Sequence, residues 1–489
     1  MDLIQTVFLL LLLVALSGLI AGFLPQLPLP LLQVGMGALL AALPVIDLRV
    51  AFDPGLFLLL FVAPLLFVDG WRIPKREFFR LRGPILTLAL GLVLFTVIGA
   101  GYVVHWAMPA IPLSAAFALA AALSPTDAVA VAAVAGRIKV PPRLMHVLEG
   151  EALLNDASGL VALRFAVAAT LTGRFSFWEA TGSFLLIALG GLAVGAAVAW
   201  PFGWMQGKLI GWRGEALSLH TVLLTLLLPF GVYLLAEHLA VSGILAVVAA
   251  GMTLDLVGLQ RSDSPAIRLQ ARGLWTMIEF VFNGAIFLLL GLQLPQLIAH
   301  PLRGAYQSVG RKEAWGLLGL AAVLWLALLA LRFVWIWGAV RVSTQWAKWR
   351  GKRQEAPSRR VMGAAALAGI RGAITLAGVL SVPLALPNGS PFPARDLLIF
   401  LASGAILFSL LGGCVGLPIV LRGLQLPPED PQEREGREAR ALGGGGGDAR
   451  AGKGAATGRG LGPGALSGGP GARDGPLPPT GHGRARYRN

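Results

Sequence analysis

Residues 144–172 form an apolar stretch of helix length that nevertheless holds four ionisable side chains, Glu149, Glu151, Asp156 and Arg164, within HVLEGEALLNDASGLVALRF. A run so long and apolar belongs across a bilayer, yet each charge costs roughly 2.5–3.5 kcal/mol at the bilayer centre. The fold must therefore surround those side chains with protein or water, which excludes a lone lipid-exposed helix and demands a bundle. At about 100° per residue, Glu149, Ala152 and Asp156 fall on one face, while Glu151 and Asn155 form a second row about a quarter-turn away. Asp156 is the candidate carrier of a cation and a proton in a secondary transporter.

The rest of the chain supplies the bundle. Of 489 residues, 56% are hydrophobic and 13% charged, too apolar for an ordinary soluble domain. The apolar runs are about twenty residues long and do not alternate, so helices rather than a barrel do the spanning. Bounded by charges, Pro and Gly, they give about thirteen spans. These lie near 3–22, 28–45, 54–69, 84–106, 113–135, 144–171, 181–206, 217–235, 239–256, 274–293, 315–340, 361–386 and 395–420. The first run has neither a basic leader nor a clear small-residue cleavage site and counts as a span, not a signal peptide.

Basic residues lie in alternate loops, which sets the orientation. Arg72, Lys75, Arg76, Arg80 and Arg82 follow the third span, and Arg137, Lys139 and Arg143 the fifth. Arg261, Arg268 and Arg272 follow the ninth, and a group from Arg341 to Arg360 the eleventh. The N-terminus is then outside and the C-terminus cytoplasmic, in the plasma (inner) membrane; the loop with Arg303, Arg311 and Lys312 is the discordant one. The net charge of +15 thus reads as topology and lipid-headgroup contact, not nucleic-acid binding. A single cysteine, Cys414, rules out an intramolecular disulfide. From Pro427 the composition falls to Gly, Pro, Ala, Arg and Glu, which predicts a disordered cytoplasmic tail over 427–489.

Two spans carry irregularities. LSPTDAVAV, Leu123 to Val131, puts a proline and an aspartate in mid-span. Pro125 is expected to break the helix and free carbonyls near Ser124 and Thr126, as a sodium site requires. Asp127 either caps the following half-helix or joins the ion site. In the twelfth span, GIRGAI from Gly369 to Ile374 places Arg371 roughly 15 Å deep, against about 19 Å for Asp156. Arginine keeps its proton and at that depth needs an acid; Glu151 is the expected partner, in a structural ion pair. Arg164, about 12 Å further along the central helix, has no partner readable in the sequence and can reach the outer interface by snorkelling.

Interrupted spans at corresponding positions of the two halves point to an inverted-repeat transporter with its site at the midplane. Asp69, Glu149 and Glu279 are candidates for a cytoplasmic funnel that concentrates cations, with Asn283 one turn beyond Glu279 and His146 at the inner mouth. Two rivals are weaker. An intramembrane aspartyl protease built on Asp127 and Asp156 would carry Tyr-Asp and Gly-x-Gly-Asp settings, absent here. A cation channel would need a continuous pore lining or carbonyl filter.

Taken together, SPTD, then EGEALLND about twenty-five residues later, then GIRGA in a late span resemble the monovalent cation:proton antiporters of the sodium/proton exchanger type, over roughly residues 1–425. The resemblance implies an all-α polytopic fold with two broken helices, the fifth and twelfth, crossing near the midplane. It implies a homodimer in which a core, 84–172 and 294–426, moves like an elevator against dimerisation helices, 1–83 and 173–293. It implies that Asp156 binds Na+ (or K+ or Li+) and H+ in alternation, with Asn155 beside it and the Thr126 region contributing oxygens, and that Glu151 and Arg371 form the structural pair. Asn155 before the key aspartate resembles the electroneutral branch. No cofactor is implied beyond the transported ions. Many relatives have serine where this chain has Ala152, and often glutamate where Asp69 stands.

Overall fold

The computed structural model describes residues 3–24, 27–42, 54–135, 140–173, 177–213, 218–257, 265–308, 311–351 and 356–422. The expected tail, 427–489, lies outside the described residues. Among the described residues, nine helices are long and apolar enough to cross a membrane, and three shorter apolar helices accompany them. The chain is an integral membrane protein built from helices.

The chain begins with α1 (Leu3–Phe23) and α2 (Leu29–Ala42). Next, α3 (Pro54–Phe57) widens through a π turn, Leu58–Val62, into α4 (Ala63–Arg72), and α5 (Lys75–Arg80) connects to the next span. There α6 (Arg82–Leu86), a second π turn, Thr87–Leu92, and α7 (Val93–Ala107) run on. The half-length helices α8 (Leu113–Ala122) and α9 (Ala128–Ala135) flank a non-helical linker, and α10 (Pro142–Thr172) is the charged central helix.

Four long elements follow: α11 (Phe177–Arg213), α12 (Ser218–His238), α13 (Gly243–Val257) and α14 (Pro265–Ser308). After α15 (Arg311–Trp349) come the half-length helices α16 (Arg359–Leu367) and α17 (Ala373–Leu380), again separated by a non-helical linker, and then α18 (Arg395–Leu421).

Several helices outrun their apolar stretches. α14 has 44 residues and α15 has 39, so the segment expected as a loop around Arg303 and Arg311 is helical over 301–308 and from Arg311 onward. Hydropathy marks where a helix leaves an apolar medium, not where its hydrogen bonds stop. The ends that do stop have local causes. α10 starts with Pro142 in its first turn, where a missing N–H costs nothing, and ends on Gly173 at φ 67°, whose N–H returns to Ala169 O.

Two groups of helices pack by close backbone approach. α2 runs along α14, α4 along α13, and α13 along α11. Gly37 lies on the backbone of Leu288 and Gly291 on that of Val34; Gly70 and Gly251 do the same between α4 and α13. A side chain at any of these would strike a main-chain atom, so the small residues set the distance, as they do where lipid gives no hydrophobic drive to pack. In the other group α8 lies against α7 and α10, and α18 against α15 and α16. The second π turn matters here, because its widened ladder frees carbonyls. Ser158 of α10 donates to Ala89 O at 2.7 Å, and Trp335 Nε1 of α15 to Thr87 O at 3.1 Å.

Candidate functional site

The two non-helical linkers meet beside α10. Residues 123–127 contain Pro125, which cannot donate a ladder hydrogen bond, and residues 368–372 contain two glycines. The Asp127 N–H donates to Ile370 O at 2.7 Å, so the linkers are joined main chain to main chain. Asp127 Oδ1 accepts from the N–H groups of Val129 and Ala130 at 2.9 and 3.0 Å, capping α9 at the positive end of its dipole. Gly372 lies so near the Asp127 carboxylate that a Cβ would collide with it. Gly159 of α10 allows the same closeness to Ser124 and Pro125.

The two rows of α10 have different surroundings. Glu151 is fully buried and Arg332, which enters from α15, is 2% exposed. Arg332 Nη1 pairs with Glu151 Oε1, and Nη2 donates to Oε2 at 2.7 Å, the two-pronged geometry that suits guanidinium and carboxylate. Arg332 Nε donates to Ala365 O at 3.0 Å, tying α16 into the same network. Thr126 accepts from Asn155 Nδ2 at 2.8 Å and donates to Glu151 Oε1 at 3.5 Å.

The expected Glu151–Arg371 pair is therefore replaced by Glu151–Arg332. Arg371 is buried, but its guanidinium serves carbonyls: Nε donates to Leu123 O at 3.0 Å and Nη1 to Gly369 O. Leu123 is the C-cap of α8 and Gly369 lies just past the C-cap of α16, where helix dipoles place negative charge that favours the cation. The Arg371 N–H also donates to Ser409 Oγ at 2.9 Å. Arg332 escaped the sequence reading, although the test applied to Arg371, a lone arginine deep in an apolar run, fits LRFVWIW equally well.

The other row faces space. A cavity of about 670 Å³ is lined by Glu149, Ala152, Leu153 and Asp156 of α10, by Thr126, Asp127 and Thr375, and by His146. Gln33 of α2, Asp69 and Arg72 of α4, and Thr276, Glu279 and Asn283 of α14 also line it. Asp156 is 6% exposed, and no donor or cation among the described residues bonds to its carboxylate. Asn155 does not line the cavity; it turns to Thr126.

Of the expected funnel acids, Glu279 pairs with Arg72, which also reaches Thr276 Oγ1 at 3.0 Å, and Glu149 lies 3.4 Å from His146 Nδ1. Asp69 has no ion pair among the described residues. Outside the spans, Lys75 of α5 pairs with Asp255 of α13; burial pulls its ammonium below the ordinary lysine value, and the Asp255 hydrogen bond opposes that. Arg164 has a partner the sequence did not give, Glu237 of α12 at 3.1 Å.

This arrangement offers a deep unpaired carboxylate at a cavity, with a neutralised acid one turn behind it. The family model for "sodium/hydrogen exchanger, transmembrane" matches residues 8–423. The chain belongs to the sodium/hydrogen exchanger family. This exchanger is 48% identical over 443 residues to an uncharacterized Na+/H+ exchanger, YjcE, of Escherichia coli K12, covering 90% of this chain and 80% of that one. It is 44% identical over 425 residues to a sodium, potassium, lithium and rubidium/H+ antiporter of Bacillus pumilus, covering 86% of this chain and 61% of that longer protein. The exchanger's fold is that of the sodium proton antiporter MjNhaP1 from Methanocaldococcus jannaschii, with a TM-score of 0.65 at 18% identity, covering 86% of this chain and 98% of that one. The exchanger is a transporter rather than an enzyme, which disposes of the protease reading.

Proposed function

We propose that this exchanger trades one monovalent cation, Na+ with K+ or Li+ as alternatives, for one proton, and that Asp156 carries either in turn. The observation that carries the reading is the contrast on α10. Glu151 is neutralised by Arg332, whereas Asp156 lines the cavity with no ion-pair partner among the described residues. A carboxylate withdrawn from water must be neutralised before it can cross a low-dielectric barrier cheaply, and a proton or a dehydrated cation can do so, but not both together. Coupled exchange follows from that exclusion.

In this reading the chain crosses the plasma membrane about thirteen times as an inverted repeat, with the N-terminus outside and the C-terminus cytoplasmic, and forms a homodimer. Two of the spans are broken, one at each linker. The α7–α10 and α15–α18 helices move as a core against α1, α2, α4 and α11–α14, carrying Asp156 from one side to the other. The cavity is consistent with this, since its lining draws on both groups. The naming of the Bacillus relative for four alkali cations supports a broad cation range.

The test is dequenching of a pH-sensitive dye in everted vesicles as Na+, K+ and Li+ are added in turn. Cation-dependent proton movement in the wild type, absent in Asp156→Asn, is the expected result. Exchange by Asp156→Asn at the wild-type rate would remove Asp156 from the role.

A further inference from the structure

Two threonine hydroxyls line the cavity near Asp156, and they differ in what they have left to give. Thr126 Oγ1 is occupied, accepting from Asn155 Nδ2 at 2.8 Å and donating to Glu151 Oε1 at 3.5 Å. Thr375 is 1% exposed, lines the same cavity, and its Oγ1 has no hydrogen-bond partner among the described residues. Burying a hydroxyl without a partner costs about 1–3 kcal/mol. A threonine inside a helix ordinarily avoids that cost by donating to the carbonyl one turn back, as Thr170 does to Ala166 O at 2.8 Å. Thr375 stands in the first turn of α17, behind which the chain is the non-helical linker, and makes no such bond.

The place of that hydroxyl follows from its neighbours. Gly372, Thr375 and Gly378 are three residues apart and share a face of the α17 segment. At one end of this stripe Gly372 abuts the Asp127 carboxylate; at the other, a Cβ on Gly378 would lie 3.3 Å from Leu160 Cδ2. Leu160 is one helical turn beyond Asp156 on α10. Thr375 lies between these two contacts in the chain and lines the same cavity as Asp156. Ala152, the residue of α10 one turn before Asp156, also lines the cavity and brings no oxygen.

We infer that the Thr375 hydroxyl is a ligand of the transported cation and sets the preference among alkali cations, supplying to the cavity that Asp156 lines an oxygen where Ala152 brings none. The inference rests on the exchange reading above and deepens it. A dehydrated alkali cation needs several oxygens, and a neutral hydroxyl adds one without a second negative charge to move. Its single short side chain on a fixed helix also fixes the radius of ion that reaches both Thr375 and Asp156.

The experiment titrates Na+, K+ and Li+ against exchange rate in everted vesicles for wild type, Thr375→Val and Thr375→Ser. Val keeps the shape and removes the oxygen; Ser keeps the oxygen. Thr375→Val is expected to raise the half-saturation concentration about tenfold for the preferred cation, and less for the others, so that the ranking flattens. Its maximal rate and proton dependence at saturating cation stay near wild type, and Ser restores the wild-type ranking. Should Val fail to accumulate, Ala against Ser gives the same contrast. Half-saturation values within twofold of wild type for all three cations, or equal changes in Val and Ser, overturn the inference. Those outcomes leave exchange intact, and are distinct from a wild type that exchanges nothing or an Asp156→Asn variant that exchanges freely.

Discussion

Glu151 and Asp156 are little more than one turn apart on α10, both acidic and both more than nine-tenths buried, and they live in different chemistries. Glu151 is held by the fork of Arg332 and accepts from Thr126, which in turn accepts from Asn155 Nδ2. Asp156 looks into the cavity with no bonded partner among the described residues. The protein thus spends one carboxylate on architecture and keeps its neighbour unsatisfied. Burial alone does not make a functional acid; what separates the two is whether a counter-charge is built in.

The sharpest way to break this comparison is to neutralise each acid in turn. Asp156→Asn is expected to lower exchange at least about hundredfold, measured in everted vesicles, while leaving the thermal midpoint in detergent unchanged or higher, because it removes a charge that nothing offsets. Arg332→Ala is expected to act the other way round, on the protein's integrity. It leaves Glu151 buried and unpaired, at a cost of about 3–5 kcal/mol, read as a large fall in thermal midpoint and in yield. The double variant Glu151→Leu with Arg332→Met should recover most of that loss, and a double variant no better than Arg332→Ala would show that the pair does more than neutralise.

A smaller effect sharpens the assignment of the counter-ion. Arg371→Met removes bonds from a cation to two carbonyls but strands no carboxylate, so its stability cost is expected at about 1.5–3 kcal/mol, below that of Arg332→Ala. The reverse order in a thermal-shift comparison would return Glu151 to Arg371. Smallest of all is Arg164→Ala. Its pair with Glu237 has side chains 54% and 34% exposed, and such pairs contribute about 0–1 kcal/mol, so the midpoint should barely move.

How much of this was legible in the sequence depends on the physical signal each feature leaves. A charge in an apolar run is conspicuous in one dimension, which is why Asp156 and Glu151 stood out. Their division into two rows is arithmetic on the helical repeat. Pro125 likewise marks a place where a helix ladder fails, and α8 and α9 stop and start on either side of it. Pairing is different, because it depends on which of several buried arginines arrives with its fork aimed at the acid. Arg371 and Arg332 are equally visible as residues, and only the helix packing separates them. The π turns at 58–62 and 87–92 leave no periodic mark at all, and α14 and α15 run on beyond their apolar stretches, which hydropathy does not mark.

One hydrogen bond described above reaches further than its size suggests. The Asp127 N–H on Ile370 O staples the two linkers to each other, while Thr126 bonds to α10 and the Arg371 N–H to Ser409 of α18. In the proposed exchange the two linkers joined by that bond would travel together, and an ion would meet the same oxygens on arrival as at departure. Affinities measured from opposite faces should then agree, leaving the gradients alone to choose the direction of net flow.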